Sequence, residues 1–135
     1  MLLDERITAE GARSRTWIAC DGSHVQIRDA DGVVGVLPVA ALDRIMARYG
    51  RPLDSEIAVE GESVSCGGGT LRRLRYRAAV DAEARDYLVW ECPGQEPLAA
   101  LAITVTAALR FLIVRLSPGA VLSTTGDPDP DDSSQ

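Results

Sequence analysis

The chain has 135 residues, of which 46% are apolar and 25% charged, as is typical of a folded globular domain. This composition excludes fibrous and disordered classes for most of the length. The net charge is −6, but four aspartates lie within residues 126–135, which leaves −2 for the rest. A nearly neutral body with an anionic tail repels nucleic acid and anionic membranes, so we expect neither as a partner.

The N-terminal part of the sequence predicts a short helix followed by a three-strand meander. Residues 2–10 have apolar side chains one helical turn apart and stop at a glycine, which is typical of a short helix. Between residues 15 and 37, three runs typical of strands are separated by Asp21-Gly22 and Asp31-Gly32. An Asp-Gly pair between two such runs is a strong hairpin signal.

A helix is predicted to begin at Pro38, since proline suits a helix start, and to stop at Gly50. Helical spacing places its charged residues on one face. The opposite, apolar face consists of Val39, Leu42, Ile45, Met46 and Tyr49.

The second half predicts further strands and a long helix. The predicted strands are 56–59, 63–66, 70–80 and 85–92, with a turn at 81–84, and the helix runs from about 96 to 116. We expect this helix to be buried on most sides because it is nearly all apolar before Arg110. Its Ile-Thr-Val-Thr stretch argues against a helix, since β-branched residues favour strands. Similar runs begin at Pro38 and Pro97, which suggests two halves, each with strands followed by a helix.

The pattern as a whole predicts an α+β fold, with one antiparallel sheet of six to seven strands and two main helices. A single domain would span residues 1–116, in the order short α, βββ, α, ββββ, α. Residues 117–135 are predicted to be a disordered acidic tail. This order of elements resembles that of bacterial secretion chaperones and related small adaptors, but a likeness of fold alone does not indicate function. The resemblance is one of topology and carries no motif.

Residue types argue against familiar catalytic machinery. All 14 basic residues are arginine, so Schiff-base, pyridoxal phosphate and P-loop lysine chemistry is excluded. The single histidine, His24, follows Ser23, and neighbouring strand residues point to opposite faces, so we do not expect the two side chains to meet. We expect no catalytic residue and no cofactor.

Three widely spaced cysteines do not resemble a disulfide scaffold. Together with His24 they could form a Cys₃His zinc site, but no two are close in sequence, and buried apolar thiols are the simpler interpretation. We therefore expect no metal. The N-terminus lacks a basic region, and the apolar run 98–109 is short for a membrane span, so we expect a cytoplasmic protein. The cysteines are Cys20, Cys66 and Cys92.

The most informative surface feature is predicted on the strand 70–80. Alternation places Arg73, Arg75 and Arg77, here called the arginine ridge, on one face. With the turn at 81–84, Arg75 would oppose Trp90, a favourable cation–π pair. The ridge and Trp90 are the predicted site for an acidic peptide, a carboxylate or a phosphate. The alternative is a solvated face whose arginines pair with nearby carboxylates.

These features predict a non-catalytic protein-binding domain of the adaptor, chaperone-like or inhibitor/immunity type. A homodimer is one way to cover the apolar helix. The alternative function is a domain for a small anionic ligand, or a non-classical enzyme, with an arginine-lined pocket.

Overall fold

A computed structural model describes residues 1–53, 61–77 and 83–116, which form two antiparallel sheets and two helices. The elements are β1 (Leu2–Ile7), β2 (Arg13–Cys20), β3 (His24–Asp29), β4 (Gly32–Pro38), α1 (Val39–Tyr49), β5 (Arg51–Pro52), β6 (Ser63–Cys66), β7 (Gly69–Tyr76), β8 (Arg85–Glu91), β9 (Leu98–Leu101) and α2 (Ala102–Leu116). The N-terminal sheet has the order β1-β2-β3-β4, and the C-terminal sheet has the order β5-β9-β8-β7-β6. The predicted α+β class is confirmed, with two sheets in place of one.

The predicted meander is confirmed as β2, β3 and β4. Gly22 and Gly32 have φ angles of +103° and +126°, which explains the Asp-Gly pairs at these turns. The predicted helix at residues 2–10 is wrong, because residues 2–7 pair with β2 as strand β1. Leu3 is fully buried, whereas Ile7 is 62% exposed, so the two do not share the buried face that a helix would give them.

Helix α1 confirms the prediction for residues 38–50. Pro38 is the N-cap residue, with extended φ and ψ, and the N–H of Gly50 bonds to the carbonyl of Met46 at the other end. Tyr49 differs from the prediction, since it is 43% exposed. The buried face consists of Ala41, Leu42, Ile45 and Met46.

The predicted strands 63–66 and 85–92 are confirmed as β6 and β8, and the described part of the strand 70–80 is β7. The predicted strand 56–59 lies outside the described residues. So do the first half of the predicted turn at 81–84 and the predicted tail 117–135.

The helix predicted from residue 96 begins only at Ala102, because residues 98–101 form strand β9. Leu98 pairs with Trp90 and Leu101 with Tyr87, so β9 completes the backbone hydrogen bonds of β8. This pairing overrides the helix propensity of Leu-Ala-Ala-Leu, and the β-branched residues enter α2. Pro38 therefore precedes a helix and Pro97 a strand. In each half, four consecutive antiparallel strands are nevertheless followed by a helix.

One main core is shared by both sheets and both helices. A second, smaller cluster around Val89 lies on the opposite face of the C-terminal sheet. The large side chains of the main core that are fully buried are Leu3, Ile18, Val25, Ile27, Leu37, Leu42, Met46, Leu71, Leu88, Val105 and Leu109.

A disulfide between Cys20 and Cys66 joins the ends of β2 and β6 and so links the two sheets. The interpretation of these cysteines as free thiols is therefore wrong. Sequence alone does not show this pairing, because the two residues are 46 positions apart and meet only when the sheets pack.

Candidate functional site

The arginine ridge lies on β7 and just beyond its end, and its first two members share one carboxylate. Arg73 donates to Oδ2 of Asp86 over 3.0 Å, and Arg75 donates to Oδ1 over 3.3 Å. The Arg73 side chain is 20% exposed and that of Arg75 is 68% exposed. Arg77 is also exposed. Asp86 therefore neutralises part of the charge that the ridge would offer to an anion.

The predicted pairing of Arg75 with Trp90 is wrong. Arg75 opposes Asp86 and Trp90 opposes Leu71, because the strands meet four positions away from the expected register. Trp90 is 4% exposed, and its indole N–H donates to Oδ1 of Asp43 over 3.0 Å. The indole thus belongs to the core and does not reach the surface beside the ridge.

Carboxylates from the N-terminal sheet also lie near the ridge. The Arg15 guanidinium, which donates to Glu5 over 2.6 Å, lowers the pKa of the Glu5 carboxyl, and the charges of Arg13 and Arg73 act in the same direction. A cleft of about 410 Å³ beside Glu5, Arg75 and Asp86 is consequently lined by both signs of charge. Mixed charge makes this cleft a weak candidate for an anion site.

Ser23 and His24 do meet, contrary to the prediction. Ser23 Oγ lies 2.9 Å from His24 Nδ1, because Ser23 belongs to the turn and strand alternation begins only at His24. Asp21 accepts from the backbone N–H of His24 and not from its ring. Among the described residues no carboxylate orients the imidazole, so this exposed pair lacks the third group of an activated nucleophile.

The cysteine chemistry is divided between a disulfide and one thiol. Cys20 and Cys66 are bonded to each other, which removes two of the four ligands of the Cys₃His alternative. Cys92 is a free, half-buried thiol. Burial raises the pKa of this thiol, and the negative charge of Asp43 adds to the effect. Cys92 therefore lacks the low pKa of a reactive cysteine.

The sequence did not indicate an apolar groove that lies between α1 and α2, here called the α1–α2 groove. Its volume is about 830 Å³. Phe111 and Ile103 of α2 are 59% and 50% exposed, so the prediction that α2 is buried on most sides is wrong. Tyr49 of α1 is 43% exposed. The lining residues are Arg44, Ile45, Arg48, Tyr49, Ile103, Thr104, Ala107, Ala108, Phe111 and Leu112.

Comparison with known proteins gives no match. No family model, no curated protein and no solved structure is significantly similar to this chain. Within the described residues, neither helix has the length and apolarity needed to cross a membrane.

Arg44 and Arg48 line the α1–α2 groove, and Arg115 contacts Phe111 on its other wall. Arg48 lies over the Tyr49 ring and Arg115 over the Phe111 ring, each 5.5 Å from the ring centre. Neither these two nor Arg44 forms an ion pair with any residue that the structure describes. Arg110, by contrast, donates to Thr16 of the N-terminal sheet over 2.9 Å.

The charge of the helices is opposite to that of the chain as a whole. Together α1 and α2 contain four arginines and one aspartate, a charge of +3, whereas the chain carries −6. The sequence held this signal in two places: arginines one turn apart on α1, and an α2 without acids. It could not show that the two helices lie side by side.

Proposed function

We propose that this protein is a non-catalytic protein-binding domain, of the adaptor, chaperone-like or inhibitor/immunity type, which holds an apolar segment of a partner in the α1–α2 groove. The carrying observation is that Ile103, Phe111 and Tyr49 expose about half of their surface along one groove. Contiguous exposed apolar surface rimmed by polar groups is typical of interaction sites.

The groove has the composition of an interface centre. Phe111 and Tyr49 are aromatic, and Arg44 and Arg48 are arginines. Aromatic residues and arginine are both enriched at protein interfaces and binding hot spots. Burying a large apolar side chain such as Phe111 contributes about 1.5–3 kcal/mol when burial is complete.

A small apolar anion is the second candidate ligand. The groove volume of about 830 Å³ falls within the range of small-molecule sites, and Arg44 or Arg48 would orient a carboxylate. A thermal-shift comparison with long-chain carboxylates tests this alternative. A rise in Tm that Arg48→Ala abolishes would favour it over a protein partner.

The test of the main proposal is site-specific photo-crosslinking in the source cells. A photoreactive amino acid at position 111 should give discrete protein adducts, whereas the same group at exposed Val33 on the N-terminal sheet should not. The adducted protein is then purified and titrated against the wild type and Phe111→Ala, with Val33→Ala as the matched control. Equal affinity of Phe111→Ala and wild type would reject the groove.

The arginine ridge remains a second proposed binding surface, tested by including Arg75→Glu in the same titration. Loss of binding in Arg75→Glu alone would move the interface from the groove to the ridge. The cytoplasmic location also remains a prediction. Because disulfides are rarely retained in a reducing cytoplasm, finding Cys20 and Cys66 oxidised in cells would count against it.

A further inference from the structure

We infer that the occupant of the α1–α2 groove is an acidic amphipathic helix from a partner protein. The inference rests on the proposed function and adds the conformation and the charge of the partner. It follows from three properties of the groove: the nature of its walls, its length and its arginines, which have no ion-pair partner among the described residues.

The walls favour a helix over an extended peptide. An extended peptide needs backbone donors and acceptors from its binding site. Both walls here are helices, whose N–H and C=O groups are bonded within each helix along their middle turns. A helix satisfies its own backbone and needs only an apolar surface.

The shape of the groove fits a short helix. Its lining on α2 runs from Ile103 to Leu112, which is about 14 Å at 1.5 Å per residue, or roughly two and a half turns. The side chains in the middle of this stretch are small, namely Thr104, Ala107 and Ala108. Small residues let a third helix approach closely, with apolar side chains at i, i+3 or i+4, and i+7.

The charge of the rim selects acidic flanks. Arg44 and Arg48 lie one turn apart on one wall, and Arg115 lies beside Phe111 at the other. A partner helix with carboxylates at i and i+4 would pair with the first two. A second copy of this chain would bring the same three arginines to the same groove, which disfavours a homodimer through this face.

The experiment uses three synthetic 16-residue peptides, each labelled with fluorescein, and the full chain. The first has leucines at i, i+4, i+7 and i+11 with glutamates beside them, the second has lysines in place of the glutamates, and the third has the first composition with the leucines scattered. By fluorescence anisotropy at low salt, the first should bind at least about tenfold more tightly than the second. The third should not bind.

Charge reversal on the protein provides the matched test. In the double variant Arg44→Glu/Arg48→Glu the preference should invert, so that the lysine peptide binds more tightly. Arg28→Glu makes the same type of change at an exposed position of the N-terminal sheet and should leave both affinities unchanged.

Three other outcomes would overturn, respectively, the acidic charge of the partner, its helical conformation and its being a different protein. Equal affinities for the glutamate and lysine peptides, both lost in Phe111→Ala, would overturn the acidic partner and leave protein binding at the groove intact. Failure of both amphipathic peptides to bind would overturn the helix, whereas the crosslinking at position 111 tests the groove independently. A dimer by light scattering that Phe111→Ala dissociates would make the second copy the occupant.

Discussion

The indole N–H of Trp90 on β8 donates a hydrogen bond to Oδ1 of Asp43 on α1 over 3.0 Å. This bond connects the C-terminal sheet to the helix that forms one wall of the α1–α2 groove. Asp43 is the only acid in the two helices. Asp43 accepts from Trp90 and, within the described residues, forms no ion pair with the neighbouring Arg44.

Removing the acceptor at Asp43 should destabilise the protein. Asp43→Ala leaves the buried indole N–H of Trp90 without its partner, so we expect the free energy of unfolding to fall by about 1–2 kcal/mol. Asp43→Asn keeps an oxygen acceptor and should lose less. Urea unfolding of the two variants measures the difference. If both variants were as stable as the wild type, the hydrogen bond would contribute nothing to stability.

The Cys92 thiol should react slowly near neutral pH. Burial and the charge of Asp43 raise its pKa, so at a given pH less of the reactive thiolate is present than in an ordinary cysteine. The rate of iodoacetamide alkylation should therefore rise at a higher pH than for a cysteine peptide. Asp43→Asn should shift this profile towards lower pH. A profile that coincides with that of the peptide would contradict the burial of the thiol.

Reduction of the Cys20–Cys66 disulfide should cause a large loss of stability. The bonded cysteines are 46 residues apart, and closing a loop of this size stabilises the folded state by about 4 kcal/mol in the chain-entropy model. The double variant Cys20→Ala/Cys66→Ala should unfold at much lower urea concentration. Thiol titration of the unfolded protein should give one thiol before reduction and three after it. Three thiols before reduction would exclude the disulfide.

Adding a methyl group at Gly35 should disturb the contact between β4 and α2. A Cβ at this position would lie 2.5 Å from Cγ2 of Ile113, so the helix or the strand must shift. We expect Gly35→Ala to cost about 1–3 kcal/mol, and Gly68→Ala, which meets no atom within 4 Å, to cost far less. In the Ile113→Ala background, Gly35→Ala should cost less than it does in the wild type, because the clashing side chain is gone. Independent, additive effects would indicate that the two residues are not in contact.

Asp86 should stabilise the fold by pairing with the ridge. In Asp86→Ala the mostly buried Arg73 guanidinium loses its carboxylate, with an expected cost of about 1–3 kcal/mol. Arg75→Ala, which removes a mostly exposed partner, should cost less than about 1 kcal/mol. Thermal unfolding compares the two. If Arg75→Ala lost more stability than Asp86→Ala, the assignment of Arg73 as the buried partner of Asp86 would be wrong.

Local signals predicted the elements that depend on few residues. The Asp-Gly turns require a positive φ, which glycine adopts readily, and so the hairpins of β2, β3 and β4 followed from the sequence. The apolar face of α1 followed from helical spacing. The β7–β8 register could not be predicted in this way. An even shift keeps the same side chains on the same face, so alternation alone does not distinguish Asp86 from Trp90 as the partner of Arg75.

By itself, the sequence determined the fold class, the N-terminal meander, α1 and the placement of Arg73 and Arg75 on one face of a strand. Tertiary structure decided that residues 2–7 and 98–101 form strands, because each segment completes the hydrogen bonds of a neighbouring strand. It also joined Cys20 to Cys66 and placed α1 beside α2, which created the groove. These features depend on residues far apart in the chain, whose approach is decided by burial of a shared core and not by local propensity.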